Sequence, residues 1–250
     1  MRRIFSVLLL LCASFAYSQN TGIREKTWIA NTDSINETRQ DYLQFLYSKQ
    51  SAITDFINGH QYQFYFDMRN PNPLFLSVEE IPVRIFIDGQ MVDDIKIHYD
   101  IYKDELIYRH PKKLIDNAYC LIELNKCRID SFHILSAEKT YRFRNFVFAG
   151  NENNIPDGYY EVLYDNENQF IIKHYAVQKL TVTDVTYEHR KDRYVKIDDS
   201  FYLIKRRHHL LNAMADKRNE IKKFIRSNYI YIPTATDESI LSIIKYYDSL

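Results

Sequence analysis

Residues 81–101, which read IPVRIFIDGQMVDDIKIHYDI, decide the fold class of this chain. Val83, Ile85 and Ile87 recur at every second position, as they do in a half-buried β-strand. Asp88-Gly89 follows them, and this dipeptide is typical of the two-residue turn of a β-hairpin. Beyond the turn, apolar residues again share one face and polar residues share the other: Ile95, Ile97, Tyr99 and Ile101 against Lys96, His98, Asp100 and Tyr102. The stretch therefore predicts an antiparallel hairpin with one packed face and one solvated face.

The same two-residue alternation recurs on both sides of this hairpin. It predicts strands at 61–67, 106–108, 119–124, 128–135, 141–148, 159–164, 169–177, 180–187 and 194–205. Near the end, helical spacing appears at 207–214, 217–227 and 237–247, and Asp216 stands where it would cap the second of these helices. The predicted fold is α+β and β-dominated: an antiparallel β meander, either a sandwich or a half-open barrel, with a small C-terminal helical segment.

The first eighteen residues have the three parts of a secretory signal peptide. Arg2 and Arg3 supply positive charge, residues 4–11 form an apolar run, and Ala16 and Ser18 are the small residues expected before cleavage at Gln19. An uncleaved anchor is the alternative, but the run is shorter than the roughly 20 residues that span a bilayer as a helix. Lipid attachment at Cys12 is disfavoured by the bulky Leu11 before it. We expect an exported protein, located in the periplasm, at the cell surface or outside the cell.

Cleavage would leave a nearly neutral chain, with 31 basic and 33 acidic residues. Such a balance gives no electrostatic footprint for nucleic acid. No later apolar run reaches spanning length, so we expect no transmembrane segment after cleavage. An outer-membrane barrel is opposed by charged strand faces and by the helical end. The predicted organisation is a polar leader at 19–54 with a weak helix, an antiparallel β domain at 55–205, and C-terminal helices at 206–250 packed on it.

Two cysteines remain after cleavage, Cys120 and Cys127, and an oxidising compartment would favour a disulfide between them. The turn chemistry argues the other way. Asn125-Lys126 is the better turn, and it would place Cys120 opposite Ser131. The sequence leaves the disulfide possible, and it shows no spacing of His and Cys that suits zinc.

Catalytic candidates are weak. Asp100 and Asp104 would share a strand face about 13 Å apart, which is too far for a retaining pair of carboxylates. Glu161 is a third candidate. The alternative for Asp100 and Asp104 is a solvated strand face that carries charge and is followed by a turn. Five glycines in the whole chain leave no phosphate-binding loop, and His208-His209 lies beside cationic residues that disfavour a metal. We therefore predict no cofactor and no metal.

Aromatic residues are the one compositional excess, with 21 tyrosines and 15 phenylalanines. Core packing explains most of them, but an exposed face such as Tyr160, Val162 and Tyr164 is suited to bind a protein or glycan partner. The short basic run 205–207 is interpreted as a solvated junction or as a contact with lipid headgroups or another anionic surface.

These features favour a non-enzymatic binding module of the cell envelope. The alternatives are a hydrolase of envelope or external polymers that uses Asp100, Asp104 or Glu161, and a small apolar-ligand carrier.

The order of several motifs resembles a family of uncharacterised exported proteins of Gram-negative bacteria. The matching stretches are 58–62 with 73–75, Tyr99-Asp100 with 104–107, 157–164, and the tail 210–228 ending in 246–248. The sequence departs from the family pattern around residues 76–96. It implies export and a β-rich architecture, and it carries over no catalytic residue.

Overall fold

A computed structural model of the protein describes residues 60–113, 119–148, 155–182 and 184–250. Within these ranges eleven strands form one antiparallel sheet, followed by three helices. The β-dominated class with a C-terminal helical segment is confirmed. The predicted signal peptide at 1–18, the predicted leader at 19–54 and its helix lie outside the described residues.

The sheet is made of two meanders that share a centre. Its strands are β1 Gln61–Tyr62, β2 Ile81–Ile87, β3 Gln90–Asp100, β4 Glu105–Lys113, β5 Tyr119–Glu123, β6 Ile129–Leu135, β7 Thr140–Phe146, β8 Gly158–Asp165, β9 Gln169–Leu180, β10 Val185–Ile197 and β11 Ser200–Leu203. Their order in space is β1-β5-β4-β3-β2-β6-β7-β8-β9-β10-β11. The chain therefore steps outward from β2 to β5, returns to the centre, and steps outward again from β6 to β11.

The hairpin predicted from residues 81–101 is confirmed. β2 pairs with β3, and Ile87 faces Gln90 across the turn. Asp88 and Gly89 both have positive φ, 48° and 76°. This conformation is the two-residue turn that matches the twist of hairpin strands, and Asp and Gly tolerate it.

The predicted turn at Asn125-Lys126 is wrong. Asn125 instead caps a short 3-10 helix, Lys126–Arg128, by accepting a hydrogen bond from the amide of Cys127 at 3.2 Å. Leu124 stays with β4 through its amide, which donates to the carbonyl of Leu106 at 2.8 Å. β6 pairs with β2 and β7, so Cys120 does not face Ser131. Cys120 is half-buried, Cys127 is exposed, and both are free thiols.

Several predicted strands differ from the observed ones, and the predicted strand 180–187 instead spans the end of β9 and the start of β10. Only Gln61–Tyr62 of the 61–67 stretch joins the sheet. Beyond it, the rings of Phe64 and Phe66 pack edge to face, with 5.4 Å between their centroids. β3 ends at Asp100, so Ile101 lies in a turn. The predicted strand 194–205 is broken by a turn at Asp198, whose φ is 52°, into β10 and β11.

The sheet curls strongly around an aromatic interior. Tyr99 on β3 and Tyr159 on β8 have three strands between them, yet their ring centroids lie 6.1 Å apart. In a flat sheet the same four steps, at about 4.8 Å each, would separate them by about 19 Å. Phe132 and Phe143 fill the space inside, stacked with centroids 4.7 Å apart. The open, curled sheet thus has its packed face inside and its polar face outside.

The helices α1 Arg207–Ala213, α2 Arg218–Ser227 and α3 Asp237–Asp248 pack on β9 and β10. Their buried residues form one cluster with Phe170, Ile172, Val195 and Ile197. Thr236 caps α3 by accepting from the amide of Ser239 at 3.2 Å. Asp216 does not cap α2, because its carboxylate accepts a hydrogen bond from the hydroxyl of Tyr247 at 2.9 Å.

Candidate functional site

Asp100, the first predicted carboxylate, is fully buried at the end of β3. Its Oδ2 accepts hydrogen bonds from the hydroxyls of Tyr62 at 2.8 Å and Tyr65 at 2.6 Å. Its Oδ1 accepts from the backbone amides of Tyr102 at 2.8 Å and Lys103 at 3.1 Å. Four donors use the acceptor capacity of this carboxylate, so Asp100 shapes the turn after β3.

Asp104 is the centre of a partly buried ionic cluster. Its Oδ2 lies 2.5 Å from Lys126 Nζ and 2.8 Å from Lys173 Nζ, and it accepts from the amide of Tyr159 at 3.1 Å. Its Oδ1 accepts from the hydroxyl of Tyr99 at 2.7 Å. Burial alone would raise the pKa of Asp104, but the ammonium groups of Lys173 and Lys126 hold that pKa below its usual value. We call these five residues the Asp104 cluster; they join the β3–β4 turn to β8, β9 and the crossover before β6.

Gly158 makes the Asp104 cluster possible. This glycine begins β8 with a φ of 134°, a conformation that L side chains rarely adopt. A Cβ added here would overlap Asp104 Oδ2 and would lie 2.6 Å from Lys173 Nζ. The carboxylate can therefore approach the β8 backbone only because residue 158 has no side chain.

Glu161, the third predicted carboxylate, is also buried and ion-paired. Lys139 Nζ lies 3.0 Å from its Oε1 and His174 Nε2 lies 2.7 Å from its Oε2. Burial raises the pKa of Glu161, while His174 and Lys139 more than offset this and lower it. The ring of His174 is packed against Phe75, with centroids 4.8 Å apart. The three carboxylates are thus each engaged by their own donors, an arrangement that stabilises the fold.

The predicted tyrosine face is only partly exposed. Tyr160 is fully buried, because Phe146 and Phe148 cover its ring at 5.6 and 5.7 Å between centroids. Its hydroxyl donates to the carbonyl of Pro156 at 2.6 Å. Val162 and Tyr164 are half-buried and line a pocket on the outer face of the sheet. Of the predicted binding residues, Val162 and Tyr164 therefore lie at a concave surface, and Tyr160 does not.

This pocket lies where β7 and β8 stop pairing. The pairing between these strands ends at Phe143 and Glu161, and the register of β8 shifts between Val162 and Tyr164. The cavity measures about 170 Å³. Its lining includes Ser131, His133, Arg142, Arg144, Val162 and Tyr164. We call it the outer-face pocket.

Three cationic or potentially cationic residues lie side by side at this pocket. Arg84 on β2 pairs directly with His133 on β6, and His133 pairs directly with Arg142 on β7. Neighbouring strands are about 4.8 Å apart, and like charges directly opposite are destabilising. The guanidinium of Arg84 lies 2.6 Å from a carboxylate oxygen of Asp93, and that of Arg144 lies 2.5 Å from one of Asp165, so both charges have an acidic partner. The exposed Arg142 has no acidic partner among the described residues.

The surroundings of His133 in this row lower its pKa. Burial lowers the pKa of its imidazole, and the charges of Arg142 and Arg84 lower it further. Its ring is packed against Phe86, with 5.0 Å between centroids. Sequence reasoning missed this site because β2, β6 and β7 become neighbours only in the folded sheet. The Arg-x-Arg alternation at 142–144 was the one local signal.

A second concave surface lies over β3, β4 and β5. It measures about 620 Å³, and its lining includes Phe64, Met68, Val78, Leu121, Lys96 and His98. His98 is 7% exposed, and its Nδ1 is buried without a hydrogen-bond partner. Burial, followed by the charge of Arg109, lowers the pKa of His98 to about 4. The groove therefore combines apolar side chains with the charged Glu79, Glu80, Lys96 and Arg109 and with an imidazole whose Nδ1 is buried and unsatisfied.

We expect Gly158→Ala to destabilise the protein by about 3–5 kcal/mol, because a methyl group would displace Asp104 from its two lysines and leave buried charges unpaired. Gly89→Ala is the matched control. Gly89 also has positive φ, but a Cβ there meets nothing within 4 Å, so the expected loss is about 1–2 kcal/mol. Chemical denaturation followed by circular dichroism measures both. Equal losses would show that the Asp104 cluster does not constrain residue 158.

Replacing Arg142 by Gln should raise the pKa of His133, since it removes one of the two guanidinium charges that disfavour the imidazolium. Titration of the imidazole signals by NMR measures this. Arg190→Gln, at an exposed arginine of β10 that is paired with Glu188, should leave the pKa of His133 unchanged. An unchanged pKa in the Arg142 variant would contradict the electrostatic coupling across β6 and β7.

Comparison with known proteins gives no match, so a function is inferred from the geometry described above. No protein-family model, no curated protein and no solved structure matches the chain. In the described ranges, no group of three or more His, Cys, Asp or Glu residues is placed to hold a metal ion. None of the helices described is both long enough and apolar enough to cross a membrane.

Proposed function

We propose that this protein is an exported, non-enzymatic binding module whose outer-face pocket binds an anionic group on a partner. Export and kinship with the exported Gram-negative family are part of the proposal, and they rest on residues 1–18 and the motifs quoted above. A protein or glycan of the cell envelope that carries carboxylate, sulfate or phosphate groups is the kind of partner that fits.

One observation carries this proposal: Arg142 stands beside His133 and Arg84 at a concave surface without an acidic partner among the described residues. An incoming anion would neutralise the guanidinium charge of Arg142 and accept hydrogen bonds from it in planar geometry. The hydroxyl of Ser131 lies in the same pocket and is a further hydrogen-bonding group for an anion's oxygens. Val162 and Tyr164 form an apolar and aromatic wall beside the charge.

The hydrolase alternative receives less support. Asp104 and Glu161 have lowered pKa values and are held by lysine and histidine side chains. Both are therefore ionised at neutral pH, and a general acid needs a proton to give. The four donors to Asp100 occupy its oxygens in the same way.

Arg142→Gln should weaken the binding of an anionic polymer by roughly tenfold or more, because a hydrogen bond to a charged group contributes about 1.5–3 kcal/mol. Isothermal titration calorimetry with dextran sulfate, and with neutral dextran as the uncharged probe, measures this. Arg190→Gln removes the same charge from β10, and it should bind as the parent protein does. Equal affinity of all three proteins, or equal binding of the two dextrans, would refute the proposal.

A second candidate function, carriage of a small apolar ligand, is favoured by the unsatisfied Nδ1 of His98 in the larger groove. A ligand with an apolar body and one hydroxyl would pack against the apolar part of the groove, and a shift of the His98 ring would bring Nδ1 to its hydroxyl. We expect 1-naphthol to shift the imidazole signals of His98 in NMR spectra. His98→Phe should abolish the saturable binding of 1-naphthol, and His208→Phe, at an exposed histidine of α1, should not. Retained binding in the His98 variant would exclude this groove as the site.

A further inference from the structure

Positive charge is concentrated in one segment of an otherwise neutral chain. Residues 205–226 contain eight lysines and arginines but only two acidic residues, Asp216 and Glu220. The whole chain has equal numbers of basic and acidic residues. The structure places this segment on α1, α2 and the turns before them. Such a local excess of one sign indicates an interaction surface.

The exposed side of α2 carries the cations closest together. Ile221 and Ile225 are buried against the sheet, while Lys222, Lys223 and Arg226 lie on the other side within one helical turn. Like charges three or four residues apart destabilise a helix. None of the three has an acidic partner within the part of the chain that the structure describes.

The basic start of α1 adjoins this surface. Arg207 donates from its Nη2 to the carbonyl of Lys222 at 3.5 Å, which brings its guanidinium beside α2. Asp216 accepts a hydrogen bond from Tyr247, and Glu220, in the first turn of α2, is three residues from Lys223 but six from Arg226. The surface beside Arg226 is therefore dominated by positive charge.

Two exposed tyrosines follow directly after α2. Tyr229 ends the helix with a φ of 54°, a position where glycine is usual because other side chains are strained there. Its side chain is 93% exposed, and Tyr231 is 68% exposed. Neither tyrosine contributes appreciably to the core. A bulky residue kept in a strained and exposed position indicates a role in contact with something outside the protein.

We propose that Lys222, Lys223, Arg226, Tyr229 and Tyr231, here the α2 face, dock the protein on an anionic lipid surface. Clusters of lysine and arginine on an amphipathic helix bind the phosphate groups of anionic lipids. Tyrosines concentrate at the headgroup level because the ring is apolar and the hydroxyl is polar. Cations alone would suit any polyanion, and the two exposed tyrosines favour lipid. This surface is separate from the outer-face pocket on β6, β7 and β8.

Vesicle binding tests the α2 face. The chain beginning at Gln19 should co-sediment with phosphatidylcholine vesicles that contain phosphatidylglycerol, should bind vesicles of phosphatidylcholine alone weakly, and should be released by salt. The double variant Lys223→Gln, Arg226→Gln should bind the anionic vesicles about 30-fold more weakly, since each cation contributes about fivefold. Lys96→Gln with Arg190→Gln makes the same change of charge on β3 and β10, and it should leave vesicle binding unchanged.

Tyr229→Gly separates a contact role from a structural one. The variant should unfold at a higher temperature, because glycine relieves the strained conformation, and it should bind anionic vesicles several-fold more weakly. A loss of stability instead would show that Tyr229 serves the fold.

Three results would overturn the lipid proposal: equal binding to both kinds of vesicle, undiminished binding of the α2 double variant, or binding of dextran sulfate through the α2 face without vesicle binding. Arg142→Gln should bind vesicles normally, so failure of the outer-face pocket and failure of the α2 face are distinguishable.

Discussion

The carboxylate of Asp104, buried between Lys126 and Lys173, is the constraint on which the curled sheet depends. It links four parts of the chain that are distant in sequence: the β3–β4 turn, the crossover before β6, the start of β8 and the middle of β9. Because β3 and β9 lie far apart in the order of strands, this contact requires the sheet to bend around its aromatic interior. Removal of one charge would leave the others buried without compensation.

This arrangement decides which side chains remain for function. The carboxylates of Asp100, Asp104 and Glu161 are held by hydrogen bonds and ion pairs within the fold. The inner face of the sheet is filled by aromatic rings such as Phe132 and Phe143. Function is left to the outer face and the helices. There Arg142 and the cations of α2 have no acidic partner among the described residues, so both proposals concern the binding of anions by a chain that is neutral as a whole.

Elements that neighbouring residues determine were predicted from the sequence, and contacts between residues far apart in the sequence were not. The hairpin at 81–101 was predictable because Asp88-Gly89 fixes its turn within the segment itself. Asn125 was misread because a turn residue and a helix cap share the same chemistry, and only the pairing of β6 with β2 distinguishes them. Tyr160 alternates with Val162 as predicted, but its burial depends on Phe146 and Phe148, which come from another strand and the loop after it.

The cations of the described residues differ in whether an acidic group lies beside them. Where stability alone is served, cations are paired: Asp237 receives both Lys191, at 2.5 Å, and Arg193, at 2.8 Å. Arg142, beside His133 on the outer face, and Lys222, Lys223 and Arg226 on α2 have no acidic partner among the residues that the structure describes. The three cations of α2 repel one another along the helix, which costs stability in the free protein. An anion bound at α2 would turn this repulsion into attraction, and one bound at the outer-face pocket would give Arg142 an acidic partner.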